Sequence, residues 1–296
     1  MEFLPVAEVV QVHRVGWLSI RETHGGEIFS SPRSRKPGIS RHGLTPTSLF
    51  ERFFGSLPSK RPFMTQTAVI TILTAPVLLA ITVGCLLLKR AFARQELLPE
   101  ELAFAAAWVF VVGSLVWLGV FLNGSTLLGF GSPWTWITAA HFVFAGFGAL
   151  TVTAFSCRVA TNRRALKILR ILLVTHPIAY GVTAAGILGY RYCDEVASVS
   201  YVMIFGTQWL AVVFGRPTRI PHAPLIMVVV ALTVPLVTMV PALAWAWNRP
   251  IFDIAGMVRY HGIINAIGHV GLGLAGFLWG RPPSHSEIKE AAHPTM

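Results

Sequence analysis

The chain has 296 residues and a net charge of +11, with 54% hydrophobic and only 12% charged residues. A soluble domain usually carries about 25% charged residues, so this composition excludes a water-bathed globule and implies a surface that faces lipid. The basic residues are scattered among loops and tails, with no basic helix interleaved with aromatics, and nucleic acid is therefore not an expected partner.

Residues 1–62 read as a basic, mostly disordered N-terminal tail, with nine Lys and Arg against five Glu. Near 47–57 the residues Leu49, Phe50, Phe53, Phe54 and Leu57 fall on one helical face. Ser48 and Glu51 resemble a capping box there, and the spacing predicts a helix lying on the membrane surface.

Seven apolar runs follow, each close to the roughly 20 residues that cross a bilayer. They are Gln66–Leu88, Leu102–Leu122, Pro133–Cys157, Arg170–Gly189, Val196–Phe214, Ala223–Trp247 and Val258–Gly280. The period-2 alternation of a barrel strand is missing from them, and backbone amides in hydrocarbon must pair within their own segment. The fold class is thus an all-α polytopic bundle of about seven transmembrane helices over 63–281, followed by a disordered tail at 282–296. No signal peptide precedes the first run.

Charge sets the expected orientation in the inner (cytoplasmic) membrane. With the start of the first span outside, the inner loops and tail hold Lys89, Arg90, Arg94, Arg158, Arg163, Arg164, Lys167, Arg170, Arg216, Arg219, Arg281 and Lys289. The outer loops then hold only Arg191, Arg249 and Arg259. This leaves the basic tail outside. Either translation begins at Met64 and 1–63 over-extends the gene, or the orientation is inverted; the first is the favoured expectation, and an intact native mass that retains residue 2 would refute it.

The third span carries His141, whose neighbours at helical spacing are Trp134, Thr138, Phe144, Ala145 and Gly148. The seventh carries His261, Asn265 and His269 at i, i+4 and i+8, on a stripe with Gly268, Leu272 and Gly276. His141 lies eight residues into its span and His261 three, which predicts depths that differ by roughly 8 Å. Asp253, just before the seventh span, is placed to pair with Arg259 or His261 at the rim. Asn265 is placed to hold the His261 ring nitrogen. His176, before Pro177, reads as structural, and Pro76, Pro235 and Pro241 predict kinks around a central cavity.

Other chemistry is not visible. Cys85, Cys157 and Cys193 form no CxxC and no disulfide framework. No phosphate-binding loop, metalloprotease motif, serine triad or carboxylate cluster occurs, and the histidines have no third strong ligand beside them. No metal and no cofactor are therefore expected.

The same residues carry a resemblance. Leu128-Gly129-Phe130, with Thr138 to Phe147 (TAAHFVFAGF), resembles the "TAvHFHyAGF" signature of the YndJ-like bacterial membrane proteins. Met257 to Gly268 (MVRYHGIINAIG) resembles that family's closing "M…HGxxNAxGF" motif. The likeness spans roughly 65–281 and implies a multi-pass membrane protein in which His141 and His261 are the residues to follow. Val143 stands where the family's second motif histidine would be, and His269 where its phenylalanine would be.

Three functions are compatible with this reading. The first is a membrane-embedded enzyme acting on a lipophilic, isoprenoid or polyketide-like small molecule, by cyclisation, isomerisation or epoxide opening. His141 and His261 would exchange protons, Asn265 and Asp253 would orient them, and Trp134, Thr138, Phe144, Gly148 and His269 would bind the substrate. The second is an exporter of a small amphiphile, and the third a non-catalytic assembly protein. Membrane lipid is the expected partner throughout.

Overall fold

The computed structural model describes residues 64–94, 97–188 and 190–285, so the tail at 1–62, its helix near 47–57 and residues 286–296 lie outside the described residues. Seven helices are long and apolar enough to span a membrane: α1 (Gln66–Ala93), α2 (Pro99–Leu122), α3 (Trp134–Val159), α4 (Arg163–Ile187), α5 (Cys193–Phe214), α6 (His222–Ala246) and α7 (Ile254–Gly280). All seven predicted spans are present, with one end of α1, α2, α4, α5 and α7 displaced by three to seven residues. Helix α4 starts at Arg163 rather than Arg170, and α2 starts at Pro99 rather than Leu102.

Those shifts have a local cause. Asn162 caps α4, its Oδ1 accepting from the Arg164 and Ala165 amides at 2.8 and 3.4 Å. Pro99 opens α2, where its missing N–H costs nothing, and Glu100 and Glu101 sit in the positive field of the first turn. Short connections join consecutive spans. One is a tight turn at Leu127–Phe130, where Leu128 (φ 53°) and Gly129 (φ 81°) both adopt the left-handed backbone and Leu127 and Phe130 exchange hydrogen bonds of 3.0 Å.

Apolar side chains turned outward, such as Leu79, Val109, Ile178, Met203, Val237 and Ile267, form the belt that meets lipid. With no hydrophobic drive between helices in lipid, close contact depends on small residues. Helix α7 supplies them. A Cβ at Gly268 would meet Val234, at Gly273 Val152 and Ala231, and at Gly276 Val228 and the Pro224 carbonyl. The small-residue stripe is therefore filled by α6 and α3.

Buried polar groups add links. Gln208 of α5 donates to Ser156 Oγ at 3.1 Å and accepts from Thr153 Oγ1 at 3.3 Å, all three fully buried. Both hydroxyls also reach carbonyls one turn back on α3. Gln208→Leu therefore strands neither partner and is expected to cost only about 1 kcal/mol, a fall of about 2–4 °C in the melting midpoint in detergent.

The ends of the bundle differ. At the end where α2, α4 and α6 begin, Arg170 grips the fully buried Glu100 with two hydrogen bonds, Nε to Oε2 at 3.0 Å and Nη2 to Oε1 at 2.9 Å. His285 Nδ1 lies 3.2 Å from Glu100 Oε1, too obliquely for a well-formed hydrogen bond, while Arg219 donates to His285 Nε2 at 2.7 Å. Arg158 and Arg94 share Glu101 at 2.7 and 3.2 Å. Beyond α7 the segment 281–285 packs under the bundle, with Ser284 buried. The extra turn of α2 carries Glu100 into the start of the span.

Candidate functional site

The two motif segments fold unlike the other spans. Helix α3 widens to π-helical turns over Phe142–Gly148, and α7 does so over Met257–Ile263 and Asn265–Gly271. Among the described residues these are the π-helical stretches. Such turns loosen the i→i+4 ladder, offer carbonyls to side chains, and often occur at functional sites. The stretches also pack on one another, since a Cβ at Gly148 would run into the Val270 side chain.

His141 and His261 each lie seven residues into their spans, counted from Trp134 and from Ile254, so they sit at similar depth. The expected offset of about 8 Å is corrected, because α7 begins four residues before Val258, at Ile254. The two rings thus lie toward the same end of two spans that pack together. His141 is exposed, and its Nδ1–H donates to the Ile137 carbonyl one turn back at 2.9 Å. His261 is half-buried, and its Nδ1–H donates to the Thr238 carbonyl of α6 at 2.8 Å. These bonds fix both rings in the tautomer whose Nε2 is bare, with no hydrogen-bond partner for it among the described residues.

Asn265 does not hold the ring in the expected way. Its Nδ2 donates to the His261 carbonyl at 2.8 Å, while the ring nitrogen, itself a donor, lies 3.4 Å away. Its Oδ1 accepts from Thr238 Oγ1 at 2.8 Å. Asn265 and Thr238 thus clamp α7 to α6 and set where the His261 ring lies. Thr238 was missed in the sequence, where one hydroxyl in an apolar run carries no signal.

The other expected site residues have local surroundings of their own. The Asp253 carboxylate caps α7, accepting from the Gly256 amide at 2.7 Å. Gly148 is a helix contact rather than a substrate wall. Phe144 is 39% exposed, on the turn after the likewise exposed His141. His269 is buried, with Nδ1 3.1 Å from the Ala231 carbonyl, and so lies in the core rather than at the rim. Trp134 and Thr138 remain half-buried on the turns before His141. A depression of about 610 Å³ lies on the flank of α4 beside Arg163, Lys167, Arg170 and Val174, away from the histidine pair that the proline kinks were expected to hollow out.

Gly148 and His141 make a direct contrast. Gly148→Leu must displace Val270 and is expected to destabilise by about 2–3 kcal/mol. His141→Ala removes an exposed ring and is expected to stay within about 0.5 kcal/mol of wild type. Melting midpoints of the two variants, measured in one detergent, check both.

A family model of the YndJ-like proteins matches residues 56–269. No curated protein and no solved structure shows significant similarity to the chain. The match covers most of the chain, contains both histidine motifs, and ends on His269. The chain belongs to the YndJ-like family.

Proposed function

From this membership and the geometry of the two motifs, we propose a multi-pass membrane enzyme that acts on a lipophilic small molecule by proton transfer between His141, His261 and the substrate. One observation carries the reading: two imidazoles at similar depth, on spans that pack together, each tied at Nδ1 and each with Nε2 bare. In a proton relocation, one Nε2 takes a proton from a substrate carbon or hydroxyl. The other imidazole, entering as imidazolium, returns one to a second atom. A proton exchanged between the rings then restores the start, with no net oxidation and no cofactor consumed. Isomerisation and proton-initiated cyclisation fit this balance. Asn265 and Thr238 position His261, and the exposed His141 meets a substrate arriving from lipid.

The positive-inside rule favours the orientation in which this end of the bundle faces outward, since Arg158, Arg163, Arg164, Lys167, Arg170, Arg216 and Arg219 gather at the other. Deletion of the gene, complemented by wild type or His141→Ala, tests the reading through profiles of lipophilic metabolites in cells and medium. One compound should vanish while an isomeric or lighter precursor accumulates, and His141→Ala should fail to restore it. A compound that merely shifts between cells and medium would make the protein an exporter and end the enzyme reading.

A further inference from the structure

Between the histidine pair and the Glu100 cluster, the core of the bundle holds polar groups that packing does not explain. His176 of α4 is fully buried, and its Nε2–H donates to the Ala145 carbonyl in the π-helical part of α3 at 2.8 Å, which leaves Nδ1 without a partner. His269 of α7 is 2% exposed. Its Nδ1–H donates to the Ala231 carbonyl, which Pro235 cannot use for lack of an N–H, and its Nε2 has no partner. The Tyr201 hydroxyl of α5 is also buried and unpaired.

These three side chains surround Phe205. The His269 ring stands edge-on to it at 5.2 Å, Tyr201 stacks on it at 5.6 Å, and His176 lies 5.4 Å from Tyr201. The two imidazoles are within electrostatic reach of each other. Each unpaired buried group costs about 1–3 kcal/mol, and side chains serving only as glue between helices would be paired.

We propose that a column of polar side chains conducts protons along the bundle, with His176, His269 and Tyr201 as its mid-depth stations. Toward the histidine pair, Asn265 is one turn from His269 on α7 and is joined through Thr238 to His261. Toward the other end, Gln208 is two turns from Tyr201 on α5 and is bonded to Thr153 and Ser156. Cys157 follows Ser156 on the same helix, and Glu100 lies against His285 at that end of the bundle. The one-turn step leaves about 5–6 Å, which one bridging water covers, and the two-turn step from Tyr201 to Gln208 leaves roughly 10–11 Å, which takes a short chain of waters.

The hop itself balances. The lone pair on a bare imidazole nitrogen forms an N–H bond as the O–H bond of a protonated water breaks. The same N–H bond breaks when the next water takes the proton on. The ring's other N–H stays on its carbonyl throughout, so each ring is unchanged after passage.

The inference goes beyond the enzymatic reading and is tested without any substrate. The full-length chain is reconstituted into liposomes holding a pH-sensitive dye, and a valinomycin-set potassium potential drives protons inward. Wild type should acidify the interior at least tenfold faster than protein-free liposomes. His176→Gln and His269→Gln keep an N–H for the carbonyl but lose the protonatable nitrogen, and each should remove most of that rate. Tyr201→Phe, the mildest change to packing, should slow it at least threefold. The exposed His222→Ala, outside the column, should leave it unchanged. Wild type no faster than empty liposomes would overturn the proposal, as would wild-type rates in all three station variants.

Discussion

His261→Ala is expected to reduce formation of the product by about 10²–10⁴-fold while leaving the protein folded, the range that a positioned general acid or base contributes. The size of the effect follows from the ring's surroundings. Its Nδ1–H is committed to the Thr238 carbonyl at 2.8 Å, so the ring cannot easily swing away and its Nε2 has a fixed direction. Alanine removes the proton acceptor and leaves Thr238's carbonyl within α6, where helix geometry still offers it a partner. His261→Gln should be nearly as inactive, since an amide donates to that carbonyl but accepts no proton at neutral pH. Thr238→Val gives the opposite test. It keeps the carbonyl that holds the ring and loses only the hydroxyl on Asn265, so the loss should stay under about tenfold. Metabolite levels in the complemented deletion strain, normalised to protein in the membrane, read all three.

Glu100→Ala is expected to be the most destabilising of the single changes considered. It removes the carboxylate from a two-bond pair with Arg170, and from His285, at a place where the carboxylate is fully buried. Losing one partner of a buried pair costs about 3–5 kcal/mol because the other charge stays behind. Arg170 retains 30% exposure, which favours the lower figure, about 3 kcal/mol. The melting midpoint in detergent should fall by about 6–12 °C at a fixed scan rate. Glu100→Gln with Arg170→Gln should recover part of the loss, because no unpaired charge remains. A midpoint within 2 °C of wild type for Glu100→Ala would mean that the cluster does not hold the helices together.

The seven spans were legible because a hydrocarbon solvent leaves a plain mark: long apolar runs, few charges, and basic residues gathered in alternate loops. His141 and His261 were legible for the same reason, as polar side chains in apolar company. The Glu100 cluster was not. A hydropathy reading starts α2 at Leu102, since two adjacent carboxylates lower any average that includes them. Pro99 at the first helical position and two acids in the first turn are the signal that places them inside α2. A charge ledger for that end points the same way, because Arg94, Arg158, Arg170 and Arg219 converge there and need counter-ions.

The face of α3 was misread for a different reason. Neighbours at i+3 and i+4 were taken from α-helical geometry, and the π-helical turns after His141 change the phase. Gly148, expected to line the site, meets Val270 of α7 instead. An apolar run such as FVFAGFG has no period that distinguishes the two kinds of helix. Asp253 shows that a carboxylate three residues before an amide at a helix start has a local use, as the cap of that helix.

The central claim is that His141 and His261 perform chemistry rather than gate a passage, and one measurement separates these directly. The purified full-length protein in detergent micelles, where no sealed compartment exists, is supplied with the compound that accumulates in the deletion strain. The account predicts conversion to the missing compound by wild type and none by His261→Ala, followed by mass spectrometry over time. An accumulating compound that stays unchanged in micelles, yet crosses the membrane of sealed vesicles containing the same protein, would contradict it.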